Sequence, residues 1–179
     1  MLQSDKCVLV IVDIQGRLAS LMYEKNRLYE NVVRMIKASR LLNIPILWNE
    51  QLPDKLGETV PEIKSALADL KPLVKNTFSC CDNPNFMGQL EATGRKQVLL
   101  TGIETHICVY QSALQFIDRG YEIHLLIDAV SSRFRHNYEL GIQRIKDAGG
   151  VLTSVEMCLF EMFKVAEGDL FRQMVKILK

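Results

Sequence analysis

Four short, almost uninterrupted apolar runs divide the chain, and each one ends at a polar residue. They cover residues 7–12, 45–48, 97–101 and 123–127. Apolar residues that do not alternate with polar ones are typical of strands buried on both faces of a sheet. Two shorter segments, 73–74 and 151–153, are weaker strand candidates. The pattern therefore predicts up to six buried strands.

In the segments between these runs, apolar residues recur at the spacing of an α-helix. The predicted helices cover residues 28–42, 61–70, 85–93, 105–119 and 138–148. Strands and helices that alternate at this spacing build βαβ units, in which helices cover both faces of a parallel sheet. We therefore predict an α/β fold with three α/β/α layers. A chain of 179 residues, 48% of them hydrophobic, suits a single domain, which we assign to residues 1–179.

Composition argues against several classes of partner and cofactor. With 22 Lys and Arg against 21 Asp and Glu, and without a long run of like charges, the chain has no polyanion-binding character, so we expect no nucleic-acid partner. No apolar run is long enough for a membrane span and no signal-peptide pattern is present, so we expect a cytoplasmic protein and no membrane partner. Two glycine-rich motifs bind nucleotide phosphates, G-x-G-x-x-G after the first strand and G-x-x-x-x-G-K-[ST]. Neither motif occurs here, and we expect no cofactor.

The five cysteines and three histidines do not form a metal-binding pattern. The cysteine number is odd and the spacing of zinc ligands is absent, so free thiols and no metal are expected. His106 would lie two residues before Cys108 on a helix and would point elsewhere, while His124 falls in a strand and His136 in a loop. A redox role for the adjacent Cys80 and Cys81 is a minor alternative.

Polar residues at the ends of the predicted strands are the first candidates for a site. In parallel sheets ligands bind beyond the carboxyl ends of the strands. The candidates are Asp13, residues 49–51, Lys75, residues 102–108 and Asp128. Taken alone, Asp13 is equally interpretable as a structural cap and Lys75 as a solvated surface residue. Together with a thiol they would supply a base, a cation and a nucleophile.

Cys108 lies where a predicted strand gives way to a helix. With Thr105 as the N-cap, Cys108 would be the third helical residue, close to the positive end of the helix dipole. This position favours a thiolate, and its backbone amide would have no partner inside the helix. We therefore expect a lowered pKa for the Cys108 thiol but not for the other four cysteines. The alternative is a buried, unreactive cysteine.

Four motifs, in this order along the chain, resemble those of the isochorismatase-like cysteine hydrolases. They are VDIQ at 12–15, Lys75 followed by Phe78 and Ser79, GIETHICV at 102–109, and DAVSSR at 128–133. The likeness spans essentially the whole chain. Residues 49–51, Asn-Glu-Gln, are most similar to the small metal-independent branch that carries a T-E-Q-type loop, with Asn49 in place of the threonine-like residue.

The resemblance implies a six-stranded parallel sheet in the order 3-2-1-4-5-6 and a catalytic triad of Asp13, Lys75 and Cys108. It also implies a cis peptide bond between Ile103 and Glu104, and an oxyanion hole made of the backbone amides of Glu104 and Cys108. Our candidates for the pocket walls around this triad are Leu18, Trp48, Gln51, Phe78 and Thr105.

Two departures from the wider superfamily restrict the reaction. Residues 49–72 contain no histidine, which disfavours the metal-dependent hydrolysis of nicotinamide, and Cys108 disfavours the vinyl-ether cleavage of true isochorismatases. We therefore expect a hydrolase that cleaves a small amide or related C–N bond through a thioester. A catalytically idle binding or scaffold protein and an ether hydrolase are the alternatives. The apolar stripe of residues 169–179 and the helix that begins at Thr105 predict a homo-oligomer.

Overall fold

The computed structural model describes residues 1–163 and 165–179. Its strands are β1 (Cys7–Val12), β2 (Ile46–Gln51), β3 (Leu73–Lys75), β4 (Gln97–Ile103), β5 (Glu122–Ser131) and β6 (Val151–Thr153). They form one parallel sheet in the order β3-β2-β1-β4-β5-β6. The predicted α/β class and strand order are confirmed.

Helices flank the sheet on both faces. They are α1 (Gly16–Ser20), α2 (Lys25–Leu41), α3 (Pro53–Leu56), α4 (Pro61–Ala66), α5 (Pro84–Ala92), α6 (Tyr110–Asp118), α7 (Arg135–Asp147), α8 (Val155–Glu161) and α9 (Gly168–Leu178). A 3-10 turn at Cys80–Asp82 precedes α5, and a π-helical turn at Thr105–Val109 precedes α6. Across the described residues, none of the helices combines the length and hydropathy needed to cross a membrane.

The central strand β1 is buried along its whole length and contributes to both cores. Leu9 and Ile11 belong to the core cluster that packs against α2, whereas Val8 and Val10 belong to the cluster that packs against α5 and α6. Complete burial of each such side chain stabilises the fold by about 1.5–3 kcal/mol. Because both faces are apolar, the first polar residue after the strand marks the edge of the sheet.

Three strands extend further into polar sequence than predicted. β2 includes Asn49–Gln51, and Gln51 pairs with Lys75, which ends β3. β5 runs past Asp128 to Ser131, with a register shift opposite Leu100 and Gly102 of β4. Ladder pairing depends on backbone groups, so polar side chains do not end a strand whose neighbours continue. The candidate site residues therefore lie on the last strand residues as well as on the loops.

Helix boundaries differ from the prediction where turns are short. Residues 105–119 divide into the π-helical turn and α6, and His136 lies in α7, not in a loop. The short helices α1, α3 and α8 were not predicted, although Ser154 caps α8 by accepting a hydrogen bond from the Met157 amide. Residues 169–179 form most of α9, which packs against α2 and buries Met174 completely.

Candidate active site

The structure brings Asp13, Lys75 and Cys108 together at the carboxyl edge of the sheet. Asp13 follows β1, Lys75 ends β3, and Cys108 lies in the turn after β4. Lys75 Nζ is 2.6 Å from Asp13 Oδ2. Gln51 Oε1 accepts hydrogen bonds from Lys75 Nζ at 3.2 Å and from Cys108 Sγ at 3.4 Å. Gln51 therefore links the thiol to the ion pair, as a pocket residue would.

Lys75 is held by four acceptors although its side chain is completely buried. Besides Asp13 and Gln51, the carbonyl oxygens of Thr77 and Phe78 accept from Nζ at 2.9 and 3.0 Å. An ammonium group has three protons, so at least one of them is shared between two acceptors. Burial of a charged lysine requires such compensation. The alternative of a solvated surface lysine is therefore wrong.

Asp13 is a buried carboxylate on a left-handed backbone residue, with φ 54°. Burial raises the pKa of the Asp13 carboxyl, Lys75 opposes this shift through its charge and hydrogen bond, and Glu50 raises the pKa further. Oδ2 is occupied by Lys75, while Oδ1 has no hydrogen-bond partner among the described residues. The free oxygen gives Asp13 an acceptor site for a proton.

The Cys108 thiol does not have the lowered pKa that its position near a helix terminus predicted. Burial, followed by the charge of Asp13, raises its pKa to about 12, and Lys75 opposes these effects. Burial likewise raises the pKa of Cys7 and of Cys81 to about 11. Cys108 is thus not distinguished by an acidic thiol. Its proton must be removed by a neighbouring base before it can act as a nucleophile.

The turn that carries Cys108 begins one residue earlier than predicted. Glu104, not Thr105, is the N-cap, and its φ of 52° is left-handed. The peptide bond between Ile103 and Glu104 is trans, so the expected cis bond is wrong. The Glu104 carbonyl accepts from the Ile107 amide at 2.8 Å, and the pairing of Ile103 with Ser131 places the Glu104 amide beside β5, at the end of the β4–β5 ladder. Glu104 therefore joins the end of β4 to the turn that carries Cys108.

The Glu104 carboxylate lies close to two basic side chains, those of Arg133 and His106. Arg133 Nε donates to Glu104 Oε1 at 2.6 Å, and His106 Nδ1 is 3.3 Å from Oε2. His106 also lies 3.0 Å from the Ser132 hydroxyl. Burial and the charge of Arg133 lower the pKa of His106, although Glu104 raises it. Sequence reasoning did not single out Arg133, but the DAVSSR motif contains it.

The other predicted pocket residues fall in different places. Phe78 is 52% exposed beside Lys75, and Thr105 is buried with its hydroxyl unpaired within the described structure. Leu18 and Trp48 pack in the core cluster that holds Leu9 and Ile11, on the opposite face of the sheet from Cys108. Trp48 is only 3% exposed. The prediction of Trp48 as a pocket wall is therefore corrected, because this side chain packs in the core.

Two polar residues that the sequence analysis did not select, Ser112 and Gln15, form hydrogen bonds with the backbone of candidate site residues. The Ser112 hydroxyl donates to the Cys108 carbonyl at 2.7 Å and accepts from the Cys80 amide at 3.0 Å. The Ser112 side chain therefore joins the turn that carries Cys108 to the loop after Lys75. The Gln15 side chain accepts from the Gln51 amide at 2.6 Å, and its place in the VDIQ motif was the signal available for finding it.

The described residues contain no group of three metal-binding side chains. All five cysteines are free and buried. Asn49 donates to Cys80 Sγ at 3.3 Å, and burial raises the pKa of this second thiol well above its usual range. The site thus brings a carboxylate, an ammonium group and a thiol together.

Comparison with known proteins agrees with this fold and motif set. The model of the isochorismatase domain matches residues 7–157. The secreted isochorismatase effector Isc1 of Phytophthora sojae is 35% identical over 177 residues, which are 96% of this chain and 84% of that protein. The structure of the MAR1 ribonuclease from Caenorhabditis elegans is 31% identical, with a TM-score of 0.92, and the match covers 99% of this chain and 91% of the other.

A further solved structure shares the fold at lower sequence identity. The YcaC gene product of Escherichia coli, described as an octameric hydrolase of unknown specificity, is 23% identical with a TM-score of 0.91. That match covers 98% of this chain and 89% of YcaC. Together with the domain match over residues 7–157, these likenesses show that the chain belongs to the isochorismatase family and has the isochorismatase-like hydrolase fold.

Proposed function

We propose that this chain is a cysteine hydrolase that cleaves a small amide or related C–N bond through a thioester. The observation that carries the proposal is the completely buried Lys75 ammonium, 2.6 Å from Asp13, with the Cys108 thiol joined to it through Gln51. Burying charges in this way is costly, and such groups concentrate at functional sites. Family membership supports the hydrolase class, and the arrangement of these residues supports the cysteine mechanism.

In the first half-reaction, Asp13 accepts the proton of Cys108 as the sulfur attacks the substrate carbonyl carbon. A C–S bond forms, and the electron pair of the carbonyl moves to oxygen. The backbone N–H groups of Glu104 and Cys108 stabilise this oxyanion. The C–N bond then breaks, Asp13 returns the proton to the leaving nitrogen, and the acyl group remains on sulfur as a thioester.

In the second half-reaction, water replaces the leaving amine. Asp13 accepts a proton from water as the water oxygen attacks the thioester, and the C–S bond breaks with return of a proton to Cys108. Lys75 assists in both halves, because its charge lowers the pKa of Asp13 and of Cys108. Burial raises both of these pKa values, so burial alone does not favour transfer of the proton from Cys108 to Asp13.

The substrate pocket in this proposal lies above Gln51, with Phe78 and Thr105 at its sides. Gln51 presents a carboxamide to the thiol, and the exposed Phe78 offers an apolar surface. These groups suit a small, uncharged acyl compound better than a long polymer. Leu18 is half-buried and packs against the core cluster, so we do not retain it as a wall of this pocket.

The decisive experiment screens purified protein against small amides, ureas, carbamoyl compounds and esters. Wild type is compared with Cys108→Ser and with Cys81→Ser, a control that changes another buried thiol. We expect hydrolysis by wild type and Cys81→Ser but not by Cys108→Ser, and a wild-type acyl adduct on the peptide that contains Cys108 by mass spectrometry. Full turnover by Cys108→Ser would refute the mechanism.

Three other functions are outcomes of the same screen. An RNA oligonucleotide is included because the C. elegans protein, 31% identical, is named a ribonuclease. Cleavage of RNA that is independent of Cys108 would favour that activity. A vinyl ether is also included, and its hydrolysis would favour the ether-hydrolase alternative. Lack of any turnover or adduct across the panel would favour a binding or scaffold protein.

We also propose a homo-oligomer in the cytosol. The octameric E. coli protein of the same fold supports assembly, and α8 and α9 leave Met157, Phe160 and Leu170 exposed. Light scattering at micromolar concentration tests it, with a mass above that of one chain expected and a monomer contradicting it. Cell fractionation tests the compartment, since the relative from Phytophthora sojae is named a secreted effector.

A further inference from the structure

We infer that Gln51 selects the substrate, because its carboxamide oxygen is engaged by Lys75 and Cys108 and its amide nitrogen remains to bind the acyl group. The substrate class is then an amide whose acyl group carries a hydrogen-bond acceptor close to the scissile carbonyl. This inference rests on the proposed function, since it names the substrate class of that reaction. Gln51 is the last residue of β2 and pairs with Lys75 at the end of β3.

The orientation of the Gln51 carboxamide follows from the chemistry of its two neighbours. Lys75 Nζ lies 3.2 Å from Oε1, and an ammonium group can only donate hydrogen bonds. The Cys108 thiol donates to the same oxygen at 3.4 Å. Exchange of the oxygen and nitrogen would place N–H groups against the ammonium protons. The oxygen therefore faces Lys75, and the nitrogen is directed away from it.

Gln15 keeps the backbone of Gln51 in place. Its Oε1 accepts from the Gln51 amide at 2.6 Å, and its Nε2 donates to the Gln51 carbonyl at 3.2 Å. Gln15 is itself 1% exposed and also donates to the Gly57 carbonyl at 2.7 Å. The Gln51 side chain extends from this restrained strand end, and its oxygen is bound twice. Hydrogen bonds of this kind hold a binding group in one geometry.

The amide nitrogen of Gln51 is available to a ligand. Nε2 makes no hydrogen bond within the described residues, and Gln51 is partly exposed, so this donor is not sealed in the core. The nitrogen and oxygen of a carboxamide are about 2.3 Å apart, which places Nε2 within about 6 Å of Cys108 Sγ. A carbonyl carbon in position for attack lies about 3–3.5 Å from the nucleophile. Nε2 is therefore within reach of acyl atoms close to that carbon.

An unpaired donor gives this position its selectivity. The proposed mechanism assigns the oxygen of the scissile carbonyl to backbone amides, which leaves Nε2 for a second acceptor. An acyl group with an oxygen there would replace the water lost from Nε2, whereas an alkyl group would cover the donor without a partner. The exposed Phe78 offers apolar contact to both kinds of acyl group and does not distinguish them.

The test compares methoxyacetamide with butyramide, which differ by an ether oxygen in place of one methylene group. We expect wild type to favour methoxyacetamide by about tenfold to a hundredfold in kcat/KM, and this preference to fall close to unity in Gln51→Met. Gln89→Met, on the exposed surface of α5, is the matched control and should retain the wild-type preference. An equal preference in wild type and Gln51→Met would overturn the inference.

The Gln51→Met variant should keep the ion pair of the site. Without Gln51, the ammonium of Lys75 still has three acceptors for its three protons, namely Asp13 and the carbonyls of Thr77 and Phe78.

Gln51→Glu provides a second variant that removes the donor and keeps an oxygen for Lys75 and Cys108. The charge of Lys75 favours the ionised form of the new carboxyl group. We expect the preference for methoxyacetamide in Gln51→Glu to be no greater than in Gln51→Met. A preference equal to that of wild type would show that the N–H donor is not needed.

Protection of Cys108 from iodoacetamide extends the test to amides that are not hydrolysed. The alkylation rate at increasing amide concentration is compared with the rate without amide in the same variant. We expect methoxyacetamide to protect wild type at about tenfold to a hundredfold lower concentration than butyramide, and both amides to protect Gln51→Met alike. If neither amide is hydrolysed or protects Cys108, the inference is wrong.

The two readouts separate this inference from the proposed function. Selective protection without turnover or an acyl adduct on Cys108 would refute the cysteine hydrolase and leave the selectivity of Gln51 standing. Hydrolysis of both amides through Cys108 with equal kcat/KM would support the hydrolase and overturn the selectivity.

Discussion

The buried environment of Lys75 gives its charge a role in the stability of the fold as well as in the proposed reaction. The backbone carbonyls of Thr77 and Phe78 and the carboxylate of Asp13 surround its ammonium group in the absence of solvent. Ion pairs on a protein surface contribute little, but breaking a buried pair is costly because the remaining charge keeps its desolvation penalty. The consequences of removing Lys75 should therefore reach both stability and rate.

We predict that Lys75→Met lowers the free energy of unfolding by about 3–5 kcal/mol and reduces turnover by at least about a hundredfold. Without Lys75 the pKa of Asp13 rises further, so the base is protonated over more of the pH range. Chemical denaturation and steady-state kinetics measure the two effects. The exposed Lys71→Met is the control, and the double variant Asp13→Asn with Lys75→Met should regain stability but not activity. Equal stability of Lys75→Met and wild type would contradict the prediction.

The carboxylate of Asp13 has opposite effects on two reactions of Cys108. Its charge raises the pKa of the thiol, so Asp13→Asn should increase the rate of alkylation by iodoacetamide at a fixed alkaline pH. The same change removes the proposed base, and hydrolysis should fall about 10²- to 10⁴-fold. In wild type the alkylation rate should continue to rise with pH through pH 9, because the thiol pKa is about 12.

Asp82→Asn is the control for this pair of measurements, since Asp82 is exposed and interacts with Cys81. Neither rate at Cys108 should change in that variant. A plateau in wild-type alkylation near neutral pH would show an acidic thiol and would contradict the electrostatics of the site.

The π-helical turn depends on the close approach of another element, helix α7. A Cβ added at Gly141 would lie 2.8 Å from the His106 amide nitrogen and 2.8 Å from the Thr105 carbonyl carbon, and both are backbone atoms. Neither atom can move without shifting the turn that carries Cys108. The glycine thus sets the distance between α7 and the turn that carries Cys108.

We predict that Gly141→Ala destabilises the protein by about 1–3 kcal/mol, as overpacking does, and reduces hydrolysis. Gly88→Ala on α5 is the matched control, since a Cβ there meets nothing within 4 Å. That change should leave activity intact and raise stability by about 0.4–1 kcal/mol, because alanine has less conformational freedom in the unfolded chain. Thermal unfolding and kinetics of both variants provide the comparison. Wild-type activity in Gly141→Ala would show that the turn tolerates displacement.

The stability of the whole molecule should depend on a histidine far from the site. His124 lies within β5, nearly buried, and its Nδ1 has no partner among the described residues. Burial lowers its pKa below the value of about 6.5 that it has in an unfolded chain. As pH falls below about 6.5, the unfolded chain binds a proton that the folded chain does not, so stability falls.

We predict an acid-side loss of up to about 1.4 kcal/mol per pH unit from this residue, until the pH reaches its folded pKa. His124→Phe should reduce this slope, whereas the exposed His136→Gln should leave it unchanged. Thermal unfolding at several pH values measures it, and an unaltered slope in His124→Phe would refute the assignment. The same scans test our proposal that residues 1–179 form one domain, for which a single cooperative transition is expected.

Local sequence pattern was sufficient for the α/β class and its layers, whereas the strand order followed from the resemblance to a known family. Apolar runs such as residues 7–12 identify buried strands because neither face of the sheet meets water, and helices between them impose parallel pairing. The same logic placed Asp13, Lys75 and Cys108 at one edge, since parallel strands end together. The boundaries of the elements were less predictable, because Asn49–Gln51 and Asp128 keep their backbone pairing despite polar side chains.

Long-range packing determined what these residues do in the fold. Burial and the charge of Asp13 together outweigh the helix terminus at Cys108, so its thiol is not acidic, and the ring of Trp48 is directed into the core. Glu104 and Arg133 are 29 residues apart and meet only through the pairing of β4 with β5. Strand and helix periodicity depends on near neighbours in sequence, whereas desolvation and ion pairing depend on which distant segments exclude water from a side chain.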